Sequence, residues 1–472
     1  MSTLAKSALI FSFLILLVSS TINLGNLDNY KDQDIPEYIT RDNTDINEIT
    51  DEGATLGRVL FYDKNLSTAK TIACASCHIQ EFGFSDTSIV STGVNGVTGR
   101  HSMRLVNARF GEETRFFWDE RALTLEEQTT MPIQDHAEMG YSGQNGDPSI
   151  DDLIIELEQL DYYDELFTFV YGDPEITQLR MGQAMAQFIR SIQSFDSKYD
   201  DGRALADNDM MPFPNFTDSE NRGKELFTLD PIFGDEGNRV DGGAGCASCH
   251  QPPEFSIDPL SRSNGVVEEL DGSINLSIHK APTLRDMFSP VTGLPNGQFM
   301  HNGQFSTIEE VIDHYNNLGN TLSNNIIFQL DTRLRSLSFG QKLNLTDTEL
   351  EDLTLFLHTL SGSDVYTNAK WSDPFDENGM IEIVNEPLSI INPSIESLNV
   401  YPNPANDYVS ISSNQKLEYI QIFDLNGKEV YSGKASAISN NSLDVSLLHN
   451  GMYLLKAESQ GQIFANKLMI NR

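Results

Sequence analysis

Basic residues are scarce in this chain. Its 472 residues include 31 lysine and arginine residues against 69 aspartate and glutamate residues, which gives a formal net charge of −38 at pH 7. Such a charge argues against nucleic acid as a partner. Cysteine is also rare, and four cysteines cannot form a disulfide-rich scaffold. The 39% of hydrophobic residues nevertheless favours folded globular domains over a disordered chain.

Long apolar runs are absent after the first twenty residues. The single run, Ala8 to Val18, is too short to span a bilayer. Lys6 precedes it, and the small residues Ser19 and Ser20 follow it, as in a secretory signal peptide cleaved near residues 20 to 24. A buried N-terminal strand or helix is the alternative. We expect a soluble, exported mature protein.

The middle of the chain has the spacing of helices. Apolar residues recur at helical intervals from Ile176 to Ile192, and a strand–helix alternation typical of a parallel α/β sheet is missing. Capping patterns that predict helix starts occur at Thr217 to Glu220, Ser306 to Glu309 and Thr346 to Glu349. These features predict a mainly α protein up to about Gly362.

The end of the chain has a different pattern. Short runs rich in Val, Ile and Tyr alternate with turns such as Asn426-Gly427 and Asn450-Gly451. The predicted strands cover residues 408–412, 419–423, 428–431 and 452–457. They predict a small C-terminal all-β domain, preceded by an aperiodic linker with three prolines.

The four cysteines fall into two C-x-x-C-H motifs. One comprises Cys74, Cys77 and His78, and the other comprises Cys246, Cys249 and His250. This spacing is typical of c-type haem attachment, because two thioether bonds hold the porphyrin while the adjoining imidazole binds its iron. A Cys₄ zinc site and a redox disulfide are the alternatives, but the zinc site leaves both histidines without a role. The sequence predicts two covalently bound haems.

Further motifs resemble those of bacterial dihaem cytochrome c peroxidases, a family that includes the methylamine-utilisation enzymes. The matching segments span residues 52 to 362: Leu56-Gly57-Arg58-Val59-Leu60-Phe61, Phe82-Gly83-Phe84-Ser85-Asp86, Phe117-Trp118-Asp119-Glu120-Arg121, Leu125-Glu126-Glu127-Gln128, Glu138-Met139-Gly140, Ala281-Pro282-Thr283-Leu284-Arg285 and His301-Asn302-Gly303. The resemblance implies two cytochrome-c-like haem domains. The N-terminal haem would be peroxidatic, and the C-terminal haem would feed it electrons.

The resemblance also assigns roles to individual residues. Glu138 would move a proton between the peroxide oxygens, and Gln128 would line the same pocket. Trp118 would lie between the haems and shorten the electron path. The structural alternatives are a solvated carboxylate and amide for the first two residues and a core position for the tryptophan.

Two positions at the haems depart from the family pattern. Gly93 replaces a removable distal histidine, which predicts an open N-terminal iron unless His101 or His136 substitutes. Tyr315 stands where the ordinary peroxidases have a methionine ligand to the C-terminal haem. A tyrosine ligand is typical of the methylamine-utilisation branch of the family. The alternative is that Tyr315 is a core residue and that Met300 or Met287 is the ligand of the C-terminal haem.

The family's calcium site is doubtful in this chain. His101 replaces an asparagine ligand, and oxygen-preferring cations do not select imidazole. The segment from Ser289 to Phe299 also lacks the expected pattern.

The C-terminal region resembles the type A sorting domain of the type IX secretion system. Tyr401-Pro402-Asn403-Pro404-Ala405 and Gly451-Met452-Tyr453 carry this resemblance. It implies a small β-sandwich that serves as an export address, and a location outside the cell or on its surface, with the periplasm as alternative. A carbohydrate-binding module is the other candidate, but no cluster of aromatic residues supports it.

The predicted organisation has six parts. They are a signal peptide (1–22), a lead-in segment (23–50), the N-terminal peroxidatic domain (51–205), the C-terminal electron-transfer domain (206–363), a linker (364–393) and the sorting domain (394–472).

The predicted function is reduction of hydrogen peroxide with electrons from a small cytochrome or cupredoxin. Oxidation of a protein or small organic substrate through high-valent iron is the second hypothesis. A non-catalytic dihaem electron carrier, with both irons six-coordinate, is the third.

Overall fold

The structure is a computed structural model that describes residues 21–112, 115–276, 282–336, 339–385, 398–413, 416–424, 428–435, 442–459 and 462–472. Residues 1–20 of the predicted signal peptide and the predicted Asn426-Gly427 turn lie outside this part of the chain. The chain divides into two compact units between Asn385 and Glu386. Both C-x-x-C-H motifs belong to the first unit.

The first unit is built from short helices and long irregular segments. Its helices are α1 (Asp51–Tyr62), α2 (Leu125–Thr130), α3 (Ile150–Leu157), α4 (Asp161–Tyr171), α5 (Gln178–Ser191), α6 (Lys198–Arg203), α7 (Asp218–Thr228), α8 (Ile308–Asn316), α9 (Leu318–Thr321), α10 (Asn324–Ile327) and α11 (Asp347–His358). No helix in the described ranges is long and apolar enough to cross a membrane.

Small strand pairs accompany these helices. The strands are β1 (Thr21–Asn23), β2 (Pro231–Phe233), β3 (Arg239–Gly242), β4 (His250–Gln251), β5 (Ser256–Ile257), β6 (Arg335–Ser336), β7 (Phe339–Gly340) and β8 (Glu382–Val384). They form the two-stranded pairs β1–β8, β2–β3, β4–β5 and β6–β7. The content of the chain is therefore mixed, although helices frame the first unit.

Both halves of the first unit use a helix pair in close contact. A β-carbon at Gly57 of α1 would lie 2.0 Å from the backbone oxygen of Ala184 in α5. In the second half, a β-carbon at Gly223 of α7 would lie 1.9 Å from the oxygen of Asp352 in α11. Only glycine permits backbones to approach this closely. The two helix pairs thus repeat one packing arrangement, in which the first helix precedes a C-x-x-C-H motif and the second follows it in the chain.

Two of the three predicted capping patterns mark the observed helix starts. Thr217 and Thr346 cap α7 and α11, each in a capping box with the glutamate three residues later. The third pattern is displaced by one residue, because Thr307, not Ser306, caps α8. The carboxylate of Glu310 accepts hydrogen bonds from the backbone nitrogens of both Ser306 and Thr307, so the sequence contained two competing starts.

The segments predicted as a lead-in and a linker are packed against the first half. Trp371 and Val365 are buried in a hydrophobic cluster with Tyr30 and Phe188. Thr21 and Ile22, which fall within the predicted signal segment 1–22, belong to strand β1, which pairs with β8. Residues 364–385 therefore do not behave as the predicted linker, because a few large side chains anchor a segment that has no regular periodicity.

The two predicted haem domains share one compact unit. Each half has its own core, and buried polar contacts join them. The guanidinium of Arg285 bonds the carboxylate of Asp200 at 2.9 Å, and the backbone nitrogen of His101 donates to the oxygen of His301 at 2.8 Å.

The second unit consists of β-strands. They are β9 (Asn399–Tyr401), β10 (Tyr408–Ser412), β11 (Tyr419–Phe423), β12 (Glu429–Lys434), β13 (Ser442–Asp444), β14 (Gly451–Ser459) and β15 (Gln462–Ile470). They form two antiparallel sheets, with strand orders β13–β10–β9 and β12–β11–β14–β15. Buried side chains from both sheets form one cluster that includes Val409, Ile422 and Leu455.

Candidate active site

Each C-x-x-C-H motif starts with a single 3₁₀ turn. These turns cover Cys74–Ser76 and Cys246–Ser248. The first turn is closed by a bond from the Cys77 backbone nitrogen to the Cys74 oxygen at 3.1 Å, and the second has the equivalent bond at 3.1 Å. The same spacing therefore produces the same local geometry in both halves.

The histidines of both motifs are suited to binding iron. Nδ1 of His78 donates to the backbone oxygen of Phe84 at 3.2 Å, which leaves Nε2 with a free lone pair. Burial lowers the pKa of His78, and it lowers the pKa of His250 to about 4. Both imidazoles are therefore neutral at pH 7, as a metal ligand must be.

Two cavities lie beside the motifs. The first, of about 1000 Å³, is lined by Cys74, Cys77 and His78, and a second, smaller cavity of about 170 Å³ is lined by Cys246, Cys249 and His250. All four thiols are free, and burial is the main cause that raises their pKa values. The cysteine pairs border different cavities, so the fold does not assemble them into one Cys₄ zinc site. The donor set fits one covalently attached haem in each half.

Glu138 borders the first cavity. It lies in a turn that Asp135 stabilises. The carboxylate of Asp135 accepts hydrogen bonds from the backbone nitrogens of Ala137 and Glu138 at 2.8 and 3.1 Å. Gly140 completes this turn at φ +86°, which favours glycine. Burial and then the charge of Asp135 raise the pKa of Glu138 to about 7. Such a carboxyl group can give or take a proton near neutral pH.

Gln128 borders the same cavity from helix α2. Thr124 caps this helix by accepting a hydrogen bond from the Glu127 backbone nitrogen at 3.1 Å. The amide of Gln128 makes no hydrogen bond to another side chain of the described residues, so it is available to a molecule in the cavity.

Trp118 is buried and borders both cavities. Its indole nitrogen donates to the backbone oxygen of His101 at 2.8 Å, which fixes the ring. The ring centre lies 6.3 Å from that of His301, another residue that borders the second cavity. The structure thus brings Trp118, Gln128 and Glu138 to the first cavity with the first haem motif.

Tyr315, Met300 and Met287 all border the second cavity. The side-chain amide of Asn264 donates to the phenol oxygen of Tyr315 at 3.2 Å and to the sulfur of Met300 at 3.4 Å. Burial raises the pKa of Tyr315. Asn264 therefore holds two of the candidate ligands side by side, a feature that sequence reasoning missed because an isolated asparagine carries no signal.

The position of Gly93 leaves no room for a distal histidine. Gly93 borders the first cavity, and a β-carbon there would lie 2.0 Å from the backbone oxygen of Ala137. His136 is bonded to Asp147 at 2.6 Å, with its side chain mostly exposed. His101 borders both cavities, with Nδ1 bonded to the oxygen of Ser88 at 3.0 Å.

Residues from the second half also reach the first cavity. Glu269 borders it and pairs with Arg100 at 2.8 Å, while Arg100 pairs with Asp119 at 2.7 Å. Sequence reasoning missed this link, since the two partners are 169 positions apart and no local pattern relates them.

The sequence model of the di-haem cytochrome c peroxidase family matches residues 51–208, and that of the secretion system C-terminal sorting domain matches residues 399–471. The chain is 32% identical over 327 residues to the methylamine utilization protein MauG of Methylorubrum extorquens, covering 66% of this chain and 79% of that protein. It is 28% identical to the protein of the same name from Methylophilus methylotrophus, covering 75% of this chain and 96% of that protein.

A solved structure agrees with these matches. It is described as a MauG-like protein associated with microbial copper homeostasis, and it has 26% sequence identity and a TM-score of 0.54 to this chain. The match covers 72% of this chain and 98% of the other. These comparisons confirm both resemblances that the sequence motifs predicted.

Proposed function

Because this chain belongs to the di-haem cytochrome c peroxidase family, we propose that it is an exported enzyme that reduces hydrogen peroxide to water. Membership makes it a peroxidase-type oxidoreductase and implies two c-type haems. Each peroxide consumes two electrons and two protons, and the electrons would come from an external donor such as a small cytochrome or a cupredoxin. The C-terminal haem would pass them to the N-terminal one.

The first cavity is the proposed site of peroxide reduction. Cys74, Cys77 and His78 would hold a haem there, and the haem would supply an iron for peroxide chemistry. Gly93 leaves its wall without a side chain, so this chain itself provides no ligand from that position to block the iron.

Glu138 supports this function most directly. It is a half-buried carboxyl group at the first cavity with a pKa raised to about 7. In its ionised form it can take a proton from one oxygen of peroxide and return it to the leaving oxygen. Gln128 can orient the peroxide through its unpaired amide.

Steady-state turnover of hydrogen peroxide with a reduced donor tests the proposal. We expect turnover, together with an EPR spectrum of the oxidised protein that shows one high-spin and one low-spin iron. Absence of turnover, or two low-spin irons in the resting protein, would contradict a peroxidase with one open iron and would favour a dihaem electron carrier.

Tyr315 supports a second candidate function, the oxidation of a protein or small organic substrate. A phenolate stabilises oxidised iron, whereas a thioether favours ferrous iron. If Tyr315 is the ligand, the C-terminal haem is a weaker source of electrons. Both Tyr315 and Met300 are held at the second cavity by Asn264, so the geometry permits either ligand.

Calcium is not part of the proposal, because imidazole replaces an oxygen ligand at His101.

The C-terminal unit implies secretion to the cell surface or the extracellular space. We propose that the N-terminal segment directs export across the inner membrane and that residues 394–472 address the type IX machinery. Deletion of residues 394–472 should leave the haem-containing protein in the periplasm. Unchanged secretion of the truncated chain would contradict this address.

A further inference from the structure

Arg104 is an unpaired cation in the wall between the two cavities. It is 9% exposed, and it is one of three buried arginines in the described part of the chain, together with Arg190 and Arg285. Arg285 bonds the carboxylate of Asp200, and Arg190 bonds that of Glu126. Arg104, in contrast, forms no ion pair or side-chain hydrogen bond with the described residues, and its Nε atom is buried without a partner.

An unpaired buried charge is unfavourable, because the low-polarity interior does not replace its lost hydration. Burial accordingly lowers the pKa of Arg104 to about 10. The charges of Tyr366 and Asp286 act in the opposite direction but do not compensate for this loss. One carboxylate oxygen of Asp286 already accepts bonds from the Gly362 nitrogen at 2.9 Å and the Tyr366 hydroxyl at 3.1 Å, and burial raises the pKa of Asp286 to about 6.

The location of Arg104 indicates the missing partner. Five of the described residues border both cavities: His101, Ser102, Arg104, Trp118 and Pro282. Arg104 is the cation in this set. A planar guanidinium binds carboxylates through paired hydrogen bonds, and each proposed haem carries two propionate carboxylates.

We propose that Arg104 binds a haem propionate where the two cavities meet. This inference rests on the proposed attachment of haem at both motifs. Arg104 is then a positioning residue that neutralises a carboxylate beside Trp118. It fixes the haem edge relative to the ring through which electrons would pass, and its charge favours the reduced state of the iron.

Two variants separate this role from a packing role. Arg104→Met removes the charge but retains an unbranched side chain, and Arg104→Lys retains the charge but loses the paired donors. Arg109→Met is the matched control, because Arg109 pairs with Asp42 and does not border either cavity. The readouts are spectroelectrochemical titration of both haems and the propionate bending bands in resonance Raman spectra.

We expect Arg104→Met to lower the midpoint potential of one haem and to shift its propionate band. Arg104→Lys should lower the potential less while still shifting the band, and Arg109→Met should change neither. Unchanged potentials and bands in a folded Arg104→Met protein would overturn the proposal. In that case the variant should also be at least as stable as the wild type, because it would simply lack an unpaired buried charge.

These readouts require bound haem but not peroxide turnover. An inactive protein with the expected shifts would refute the peroxidase function and support the role of Arg104. A wild-type protein without covalent haem would refute both.

Discussion

Replacement of Glu138 by glutamine removes the only proton carrier that we assign to peroxide reduction, while preserving the size of the side chain. A positioned acid–base group contributes about 10²- to 10⁴-fold to rate. We therefore expect kcat to fall by about 10²- to 10⁴-fold, which corresponds to an increase of about 3–5 kcal/mol in the activation free energy. Stopped-flow and steady-state assays with hydrogen peroxide and a reduced donor measure this loss.

The pH profile gives an independent test of the same assignment. The ionised form of Glu138 accepts the first proton, and its pKa is raised to about 7. In the wild type, kcat/KM should therefore rise as the pH increases through about 7. This inflection should disappear in Glu138→Gln, because glutamine does not titrate.

The stability of the variant has a defined pH dependence. The pKa of Glu138 rises from 4.5 to about 7 on folding, so ionising this half-buried carboxyl group costs about 3 kcal/mol of folding free energy. In the wild type, Glu138 is protonated in both the folded and the unfolded state below about pH 4.5, so stability is fully retained there. Stability is lost as the pH rises through the folded-state pKa of about 7. Relative to the wild type, Glu138→Gln should become more stable above pH 7. Thermal unfolding at pH 5 and pH 9 measures the difference.

Glu127→Gln is the matched control. Glu127 is exposed, lies in the same helix as Gln128 and accepts a hydrogen bond from the Leu123 nitrogen, which a glutamine oxygen can also accept. This variant should retain the rate and the pH profile of the wild type. If Glu138→Gln retains wild-type kcat and the inflection near pH 7, Glu138 is not the proton carrier and the proposed mechanism is wrong.

Three further variants test the surroundings of the site. Asp135→Asn removes a negative charge that raises the pKa of Glu138, so the inflection in kcat/KM should move to lower pH; an unchanged inflection would contradict this coupling. Tyr315→Phe should alter the low-spin optical and EPR signals, whereas an unchanged spectrum would remove Tyr315 as a ligand and leave Met300 or Met287. Gly57→Ala should lower the free energy of unfolding by about 1–3 kcal/mol through its contact with the backbone of α5. Gly99→Ala, with nothing within 4 Å, should be neutral in the same denaturation assay.

Features set by neighbouring residues could be predicted from the sequence. The capping boxes at Thr217 and Thr346 involve residues three positions apart, and both helices begin as predicted. The strands Tyr408–Ser412 and Tyr419–Phe423 also have the predicted bounds, because alternating buried and exposed residues follow a period of two.

Features set by distant residues could not be predicted in this way. Strands Asn399–Tyr401 and Ser442–Asp444 are only three residues long, which is too short to establish a period, and each depends on pairing with β10. The burial of Trp371 likewise depends on residues from distant parts of the chain, such as Tyr30 and Phe188. In the candidate site, the unpaired state of Arg104 results from the whole fold and has no local signature.

The two halves of the first unit share a backbone frame but differ in the side chains around their cavities. Each half has a glycine contact between two helices and a 3₁₀ turn at its C-x-x-C-H motif. The frame therefore places two equivalent cysteine–histidine sets, and it cannot by itself make one haem catalytic. Of the two cavities, only the first is bordered by Glu138, the proposed proton carrier, and by Gly93, which offers no ligand, whereas the second contains Asn264 bonded to two candidate ligands. This asymmetry supports peroxide reduction at the first cavity and electron transfer at the second.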